Sequence, residues 1–155
     1  MKVLIINKFL YSRGGDCIYA LNLSRLLCNA GHETCFYAMD YSHNIPCKES
    51  KYFAEEIDFS ATNLFGKIKA VSRIIWGTGV TKSFEKLLDE FQPSIVYLNN
   101  IHSYLSPIVA KIACKKGIKV IWTLHDYKLI CPSYNCLCNG KVCEMCLTNK
   151  KNVVL

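Results

Sequence analysis

Apolar runs and amphipathic stretches follow one another in a regular order along this chain. Lys2–Ile6 is short, apolar and β-branched and reads as a buried strand; the loop 7–15 ends in Arg13-Gly14-Gly15-Asp16. A helix then runs to about Ala30, with Tyr19, Leu23, Leu26, Leu27 and Ala30 recurring at helical spacing as its apolar face. Gly31 stands where a helix C-terminus favours glycine, and residues 32–38 form the second strand. Residues 39–62 are polar, contain Pro46 and carry no firm period. Leu64, Ile68, Val71 and Ile75 mark an amphipathic helix that breaks near Gly77-Thr-Gly79, and Phe84, Leu87, Leu88 and Phe91 mark another, stopped by Pro93. Residues 94–98 are a strand. Ser106-Pro107 predicts an N-cap followed by proline at the first helical position, with Leu105, Ile108, Val109, Ile112 and Ala113 as the apolar face and Gly117 as the stop. Residues 118–124 are the last clear strand.

Strands alternating with helices, the strands nearly continuous in apolar residues, imply an α/β fold with a Rossmann-like, doubly wound parallel sheet. Four strands are legible. A Cys-rich loop over 131–147 then interrupts the pattern, and a further apolar element begins at Asn152-Val-Val-Leu155. The expectation is a single unfinished domain over 1–155, without internal repeats or low-complexity tracts.

With 155 residues, 51% apolar and 20% charged, the chain suits one globular core rather than a disordered segment. Its net charge of +7 suits an anionic partner such as nucleotide phosphates, a phospholipid surface or nucleic acid, without choosing among them. The lysines and arginines are scattered, with a late pair at Lys150-Lys151, as on a solvated face. No stretch approaches the ~20 apolar residues of a membrane span, and Val3-Leu-Ile-Ile6 is too short for a signal-peptide core. The reading is a cytoplasmic protein, compatible with contact at the inner face of the membrane. In that reducing compartment the ten cysteines do not form a disulfide framework; Cys17, Cys28, Cys35, Cys47 and Cys114, which fall singly, pack as small hydrophobes.

Chemistry concentrates at strand ends, where open α/β sheets hold their ligands. Gly14-Gly15 between the first strand and first helix lets a backbone approach a ligand, and a helix N-terminus favours anions. The dinucleotide fingerprint G-x-G-x-x-G is not present, so Asp40, though at a strand end, does not define a nicotinamide site. His125 and Asp126 follow the fourth strand, and Asn99, Asn100 and His102 follow the third. Polar groups at neighbouring strand ends are hard to explain by packing. The cysteines of the loop are spaced C-x4-C-x-C-x4-C-x2-C over Cys131, Cys136, Cys138, Cys143 and Cys146. Cys143-x-x-Cys146 is a half-site for tetrahedral zinc, and Asn139-Gly140 between the cysteines is a hairpin-turn signal. Free thiols are the alternative.

Three collinear stretches resemble Glycosyltransferase Family 4, in the N-terminal, acceptor-side domain of a GT-B fold. They are Met1-Lys-Val-Leu-Ile-Ile-Asn-Lys-Phe-Leu-Tyr-Ser-Arg-Gly-Gly-Asp16, Pro93-Ser-Ile-Val-Tyr-Leu-Asn-Asn-Ile-His-Ser-Tyr-Leu-Ser-Pro107 and Trp122-Thr-Leu-His-Asp-Tyr-Lys-Leu-Ile-Cys-Pro132. Many relatives carry Glu two residues after Gly-Gly; this chain has Cys17 there, preceded by Asp16. The resemblance implies sugar transfer from a nucleotide-sugar donor to a cell-surface glycan or lipid-linked acceptor, with retention of configuration and no catalytic cofactor. His125 would be catalytic, beside the transferred sugar; Gly14, Gly15, Asn99, Asn100, His102 and Asp126 would bind substrate. Relatives also place cysteines like Cys131, Cys143 and Cys146, which would hold a structural zinc with Cys136, Cys138 or a later cysteine as the fourth ligand. The family's C-terminal donor-binding domain has no counterpart within these residues, so a fragment is expected, inactive by itself. The alternatives are a non-catalytic half-domain and a zinc-stapled module with an anionic partner. Nucleic acid is not expected, because Tyr127-Lys128 and Tyr134 supply too little aromatic-basic interleaving.

Overall fold

The computed structural model describes residues 1–59, 63–131 and 133–145. The chain divides into two compact units, Met1–Thr123 and Leu124–Leu155. In the first unit the elements run β1 (Lys2–Ile6), α1 (Gly15–Asn29), β2 (Glu33–Tyr37), a 3-10 turn (Lys48–Tyr52), α2 (Leu64–Trp76), α3 (Thr81–Phe91), β3 (Ile95–Leu98), α4 (Ile108–Lys115) and β4 (Lys119–Trp122). All four strands are parallel, in the order β2-β1-β3-β4. Chain direction across the sheet therefore reverses at β1, which puts a crevice outside the carboxyl ends of β1 and β3.

β1 is apolar throughout because it is central and covered on both faces. Val3 and Ile5 meet Ala20, Leu23 and Leu27 of α1. Leu4 and Ile6 belong to the larger core with Phe84, Leu87 and Leu88 of α3 and Val109, Ile112 and Ala113 of α4. The doubly wound arrangement expected from the sequence is the one observed.

Three expectations need correction. The covered stripe of α1 is Cys17, Ala20, Leu23 and Leu27, whereas Leu26 lies outside; small side chains let the helix approach β1 closely. The apolar stripe of α2 faces outward, and the helix's buried residue is Arg73. The last strand is shorter than expected and lies at the sheet edge, so Lys119 and Ile121 are exposed while Val120 and Trp122 pack on the core. The stretch 39–59 is a packed loop: Met39 bridges to Ala54, and Phe53, Ala54 and Ile57 are buried.

α4 starts at Ile108 with Pro107 at the N-cap position, one residue later than the sequence signal. The Ser106 hydroxyl accepts from Ile108 N at 3.3 Å and donates to the Ile74 carbonyl at 2.8 Å, which ties the start of α4 to α2. Gly77 ends α2 with φ +65°, and a Cβ there would collide with Ile108, so only glycine serves.

In the second unit, β5 (Leu137–Cys138) and β6 (Lys141–Val142) form an antiparallel hairpin. Asn139 and Gly140 both have positive φ, 50° and 75°, as a type I′ turn requires.

Candidate functional site

The ends of β1 and β3 are locked together by asparagines. Asn7, just past β1, is 2% exposed. Its amide nitrogen donates to Phe9 O at 3.1 Å and reaches Cys17 Sγ at 3.4 Å, and its side-chain oxygen accepts from Asn100 N at 3.2 Å. Asn99 donates from Nδ2 to Ile6 O at 3.2 Å, and its own carbonyl accepts from Trp122 Nε1 at 3.0 Å. The His102 ring lies 5.6 Å from the Trp122 ring. Asn99, Asn100 and His102 are thus brought together at one end of the sheet, with Asn99 turned inward as a brace. Sequence reading missed Asn7 as a member of this group; its signal is a polar residue directly after an apolar strand, as at Asn99.

Gly14 and Gly15 open α1. Neither has positive φ, and a Cβ would meet nothing at Gly15 and only Asp16 Oδ1 at 3.5 Å at Gly14. Among the described residues nothing requires glycine at Gly15, and the space beside it is open. Beside it Asp16 Oδ2 is buried with no hydrogen-bond partner among the described residues. A carboxylate at a helix N-terminus is favoured by the dipole and offers an acceptor to a donor hydroxyl.

A further feature at this end of the sheet comes mostly from residues not singled out by sequence. Phe9, Met39, Tyr41, Tyr104, Phe59 and Arg13 line a cavity of about 570 Å3, which also takes in Glu56 and Asp58. Phe9 follows β1, Tyr41 follows β2 and Tyr104 follows β3. Ring centroids of Phe9 stand 5.0 Å from Tyr41 and 5.9 Å from Tyr104, and Phe59 stands 5.0 Å from Tyr104. Lys8 and Arg13 lie over the Phe9 ring at 5.5 and 4.7 Å. Asn44 fixes two of the walls: its side chain accepts from Leu10 N at 2.8 Å and donates to Met39 O at 2.7 Å. Aromatic faces, one arginine and two carboxylates in one cleft suit a polyhydroxylated ligand, whose C–H faces stack on rings while its hydroxyls find charged partners.

In the second unit His125 is exposed and lines a smaller cleft of about 330 Å3 with Leu124, Asp126, Tyr127, Leu129 and Ile130. Asp126 accepts from Lys128 N at 3.0 Å, closing an Asx turn that shapes the segment after His125. The Cys131 thiol has its pKa lowered to about 7, chiefly by the Ser133 hydroxyl at 3.2 Å; burial opposes this shift and Cys136 adds to it. Cys143 N donates to Cys136 O at 2.8 Å, which brings the chain on either side of the hairpin together, and Cys138 is exposed on β5. Among the described residues no three His, Cys, Asp or Glu side chains converge as a metal site, and Cys146 lies outside those residues.

No helix among the described residues is long and apolar enough to cross a membrane. A protein of Klebsiella pneumoniae described as "Uncharacterized 42.6 kDa protein in cps region" is 27% identical over 154 residues, covering 90% of this chain and 40% of the relative. The chain therefore spans about two fifths of the length of that curated relative. The profile of Glycosyltransferase Family 4 matches residues 13–135, which include the Gly14-Gly15 turn, Asn99 and Asn100, His125-Asp126 and Cys131. On that match, over most of its length, the chain belongs to Glycosyltransferase Family 4.

Proposed function

We propose that this chain supplies the acceptor-side wall of a retaining glycosyltransferase that moves a sugar from a nucleotide-sugar donor to a glycan or lipid-linked acceptor in cell-surface polysaccharide synthesis, at the cytoplasmic side of the membrane. The observation that carries it is the aromatic cavity at the carboxyl ends of β1, β2 and β3 in a family 4 chain. The cps-region relative favours the polysaccharide context. In this reading Phe9, Tyr41 and Tyr104 stack on the acceptor while Glu56 and Asp58 accept from its hydroxyls. Gly14 and Gly15 leave room for the donor or transferred sugar. The carboxylate of Asp16 suits a sugar hydroxyl better than a phosphate, which it would repel. Asn99 and Asn100 hold the strand ends that carry these loops, His102 supports Trp122, and Asp126 orients the His125 segment. Transfer requires donor and acceptor to be held together in a closed cleft, which a donor-binding domain would complete.

The test is an acceptor titration with the complete protein and its nucleotide-sugar donor. Tyr41→Ala, which removes a ring next to Phe9, is expected to raise the acceptor KM about tenfold with little change in kcat, as losing a stacking face of ~1.4 kcal/mol would. An unchanged acceptor KM counts against this cavity as the acceptor site.

A structural zinc held by Cys131, Cys136, Cys143 and Cys146 is part of the same proposal. Cys131 is already acidic enough to bind as thiolate near neutral pH, and the Cys136–Cys143 backbone bond favours Cys136 over Cys138 as the fourth ligand. Four thiolates leave no open position, so the metal would brace the segment rather than take part in transfer. Metal analysis of protein purified without chelator is expected to give one zinc per chain, lost in Cys143→Ser. A metal-free preparation with all the thiols titratable contradicts it.

A further inference from the structure

The aromatic rings of the cavity do not stop at its rim. Tyr11 and His43 lie outside the cavity lining, yet the Tyr41 ring stands 5.8 Å from Tyr11 and 5.2 Å from His43, and Tyr11 stands 5.9 Å from His43. These three rings are inclined by only 21–36° to one another, whereas Phe9 meets Tyr11 at 61° and Tyr41 at 53°. Phe9 is a buried wedge, while Tyr11 and Tyr41 are half-buried and His43 is exposed. From Tyr104 through Phe9 and Tyr41 to His43, successive centroids are 5.9, 5.0 and 5.2 Å apart, a spacing comparable with the length of one unit in a sugar chain.

Two observations distinguish this row from ordinary core packing. Elsewhere in the unit, the hydroxyls of Tyr19, Tyr37, Tyr52 and Tyr97 are engaged with Tyr97, Ser83, Glu90 and Thr123 respectively. The hydroxyls of Tyr11, Tyr41 and Tyr104 have no hydrogen-bond partner among the described residues. A tyrosine that serves only to pack could as well be phenylalanine, so three unengaged hydroxyls along one row point to a polar ligand. The row is also preformed. Leu10 N donates to Asn44 Oδ1 at 2.8 Å, Ile45 N to Leu10 O at 2.7 Å, Asn44 N to Tyr41 O at 2.9 Å and Arg13 N to Tyr11 O at 2.8 Å. The loops after β1 and β2 are thus laced together, which lowers the cost of ordering them around a ligand.

We propose that Tyr11 and His43, with Tyr41, form a second acceptor subsite, and that the acceptor is an oligosaccharide. Its terminal unit occupies the cavity, and the preceding units lie along the row toward His43. The rings take the C–H faces of the sugars, while the Tyr11 and Tyr41 hydroxyls bond their hydroxyl groups. This rests on the cavity being the acceptor site and adds the length of chain that the protein recognises.

Saturation-transfer difference NMR on the complete protein tests it, with linear oligosaccharides of glucose, galactose, mannose and N-acetylglucosamine, one to four units long, as probes. At least one series is expected to bind about tenfold more tightly at three units than at one, with saturation reaching every unit. Tyr11→Ala combined with His43→Ala should return the long members to the affinity of the single sugar and leave the single sugar unchanged. His43→Ala alone, at an exposed position, should weaken the long members about threefold with the melting temperature unchanged. Tyr41→Ala should weaken binding at every length. Affinity independent of length overturns the second subsite, as does binding of no series. So does a Tyr11→Ala, His43→Ala protein that holds long chains like wild type; a loss in Tyr41→Ala at every length would then still keep the cavity as the acceptor site. A Tyr41→Ala protein that also binds like wild type would remove the cavity itself, and both readings would fall.

Discussion

In the complete enzyme, His125→Ala is expected to lower kcat about a hundredfold or more while the melting temperature stays within a degree or so of wild type. The imidazole is exposed, so no core packing depends on it. Sugar transfer passes through a transition state in which the anomeric carbon gains positive charge and the leaving group gains negative charge. A preorganised polar contact to such developing charge is worth on the order of 2.7–4 kcal/mol, which sets the size of the loss. His125→Gln, which keeps a donor on a similar reach, should recover part of it. A His125→Ala enzyme turning over at the wild-type rate would remove this residue from the mechanism.

Arg73→Met is expected to have the largest effect on stability, about 3 kcal/mol or more, with a fall in melting temperature of roughly 10 °C. Methionine fills a similar volume but leaves the carbonyls of Thr78, Tyr104 and Glu55 without donors in a site closed to water. Burial lowers the arginine's pKa, opposed by Tyr37 and Glu55, and a guanidinium remains charged in such a site. Arg73→Lys should rescue little, because one ammonium cannot reproduce a planar fork aimed at three oxygens. Two of these carbonyls belong to chain that forms the aromatic cavity: Tyr104 itself, and Glu55 next to Glu56. The same substitution should therefore raise the acceptor KM as the wall loosens. Thermal denaturation followed by circular dichroism gives the first measurement; an unchanged melting point would mean that the carbonyls find other partners.

The parts of the fold legible in the sequence are those whose pattern is set locally. β1 reads as buried because both its faces are covered, and α3 reads correctly because Phe84, Leu87 and Leu88 face a continuous sheet surface. The pattern of α2 gives a stripe but no indication of which side meets the domain; that is decided by carbonyls from residues 55, 78 and 104. In α1, large residues suggested a face that small ones, Cys17 and Ala20, occupy. The loop 39–59 has no period because Asn44 and the Met39–Ala54 bridge, contacts made across the chain, hold it. The strand-end polar groups could be found one strand at a time. The aromatic cavity could not, since Phe9, Tyr41, Phe59 and Tyr104 come from separate loops and meet only once the sheet is ordered.

That ordering has a kinetic consequence. β1 sits between β2 and β3, yet β2 ends at Tyr37 and β3 begins at Ile95. At about 5–20 residues per second, the ribosome takes roughly 3–12 s to make the intervening stretch. Through that interval Val3, Leu4, Ile5 and Ile6 present a bare strand edge on a nascent chain, a template for pairing with a neighbour on the same messenger or for a chaperone. Closing so long a loop also slows the folding of the finished chain. β1 is made before β2, β3 and β4, yet its second edge is among the last in the sheet to be enclosed.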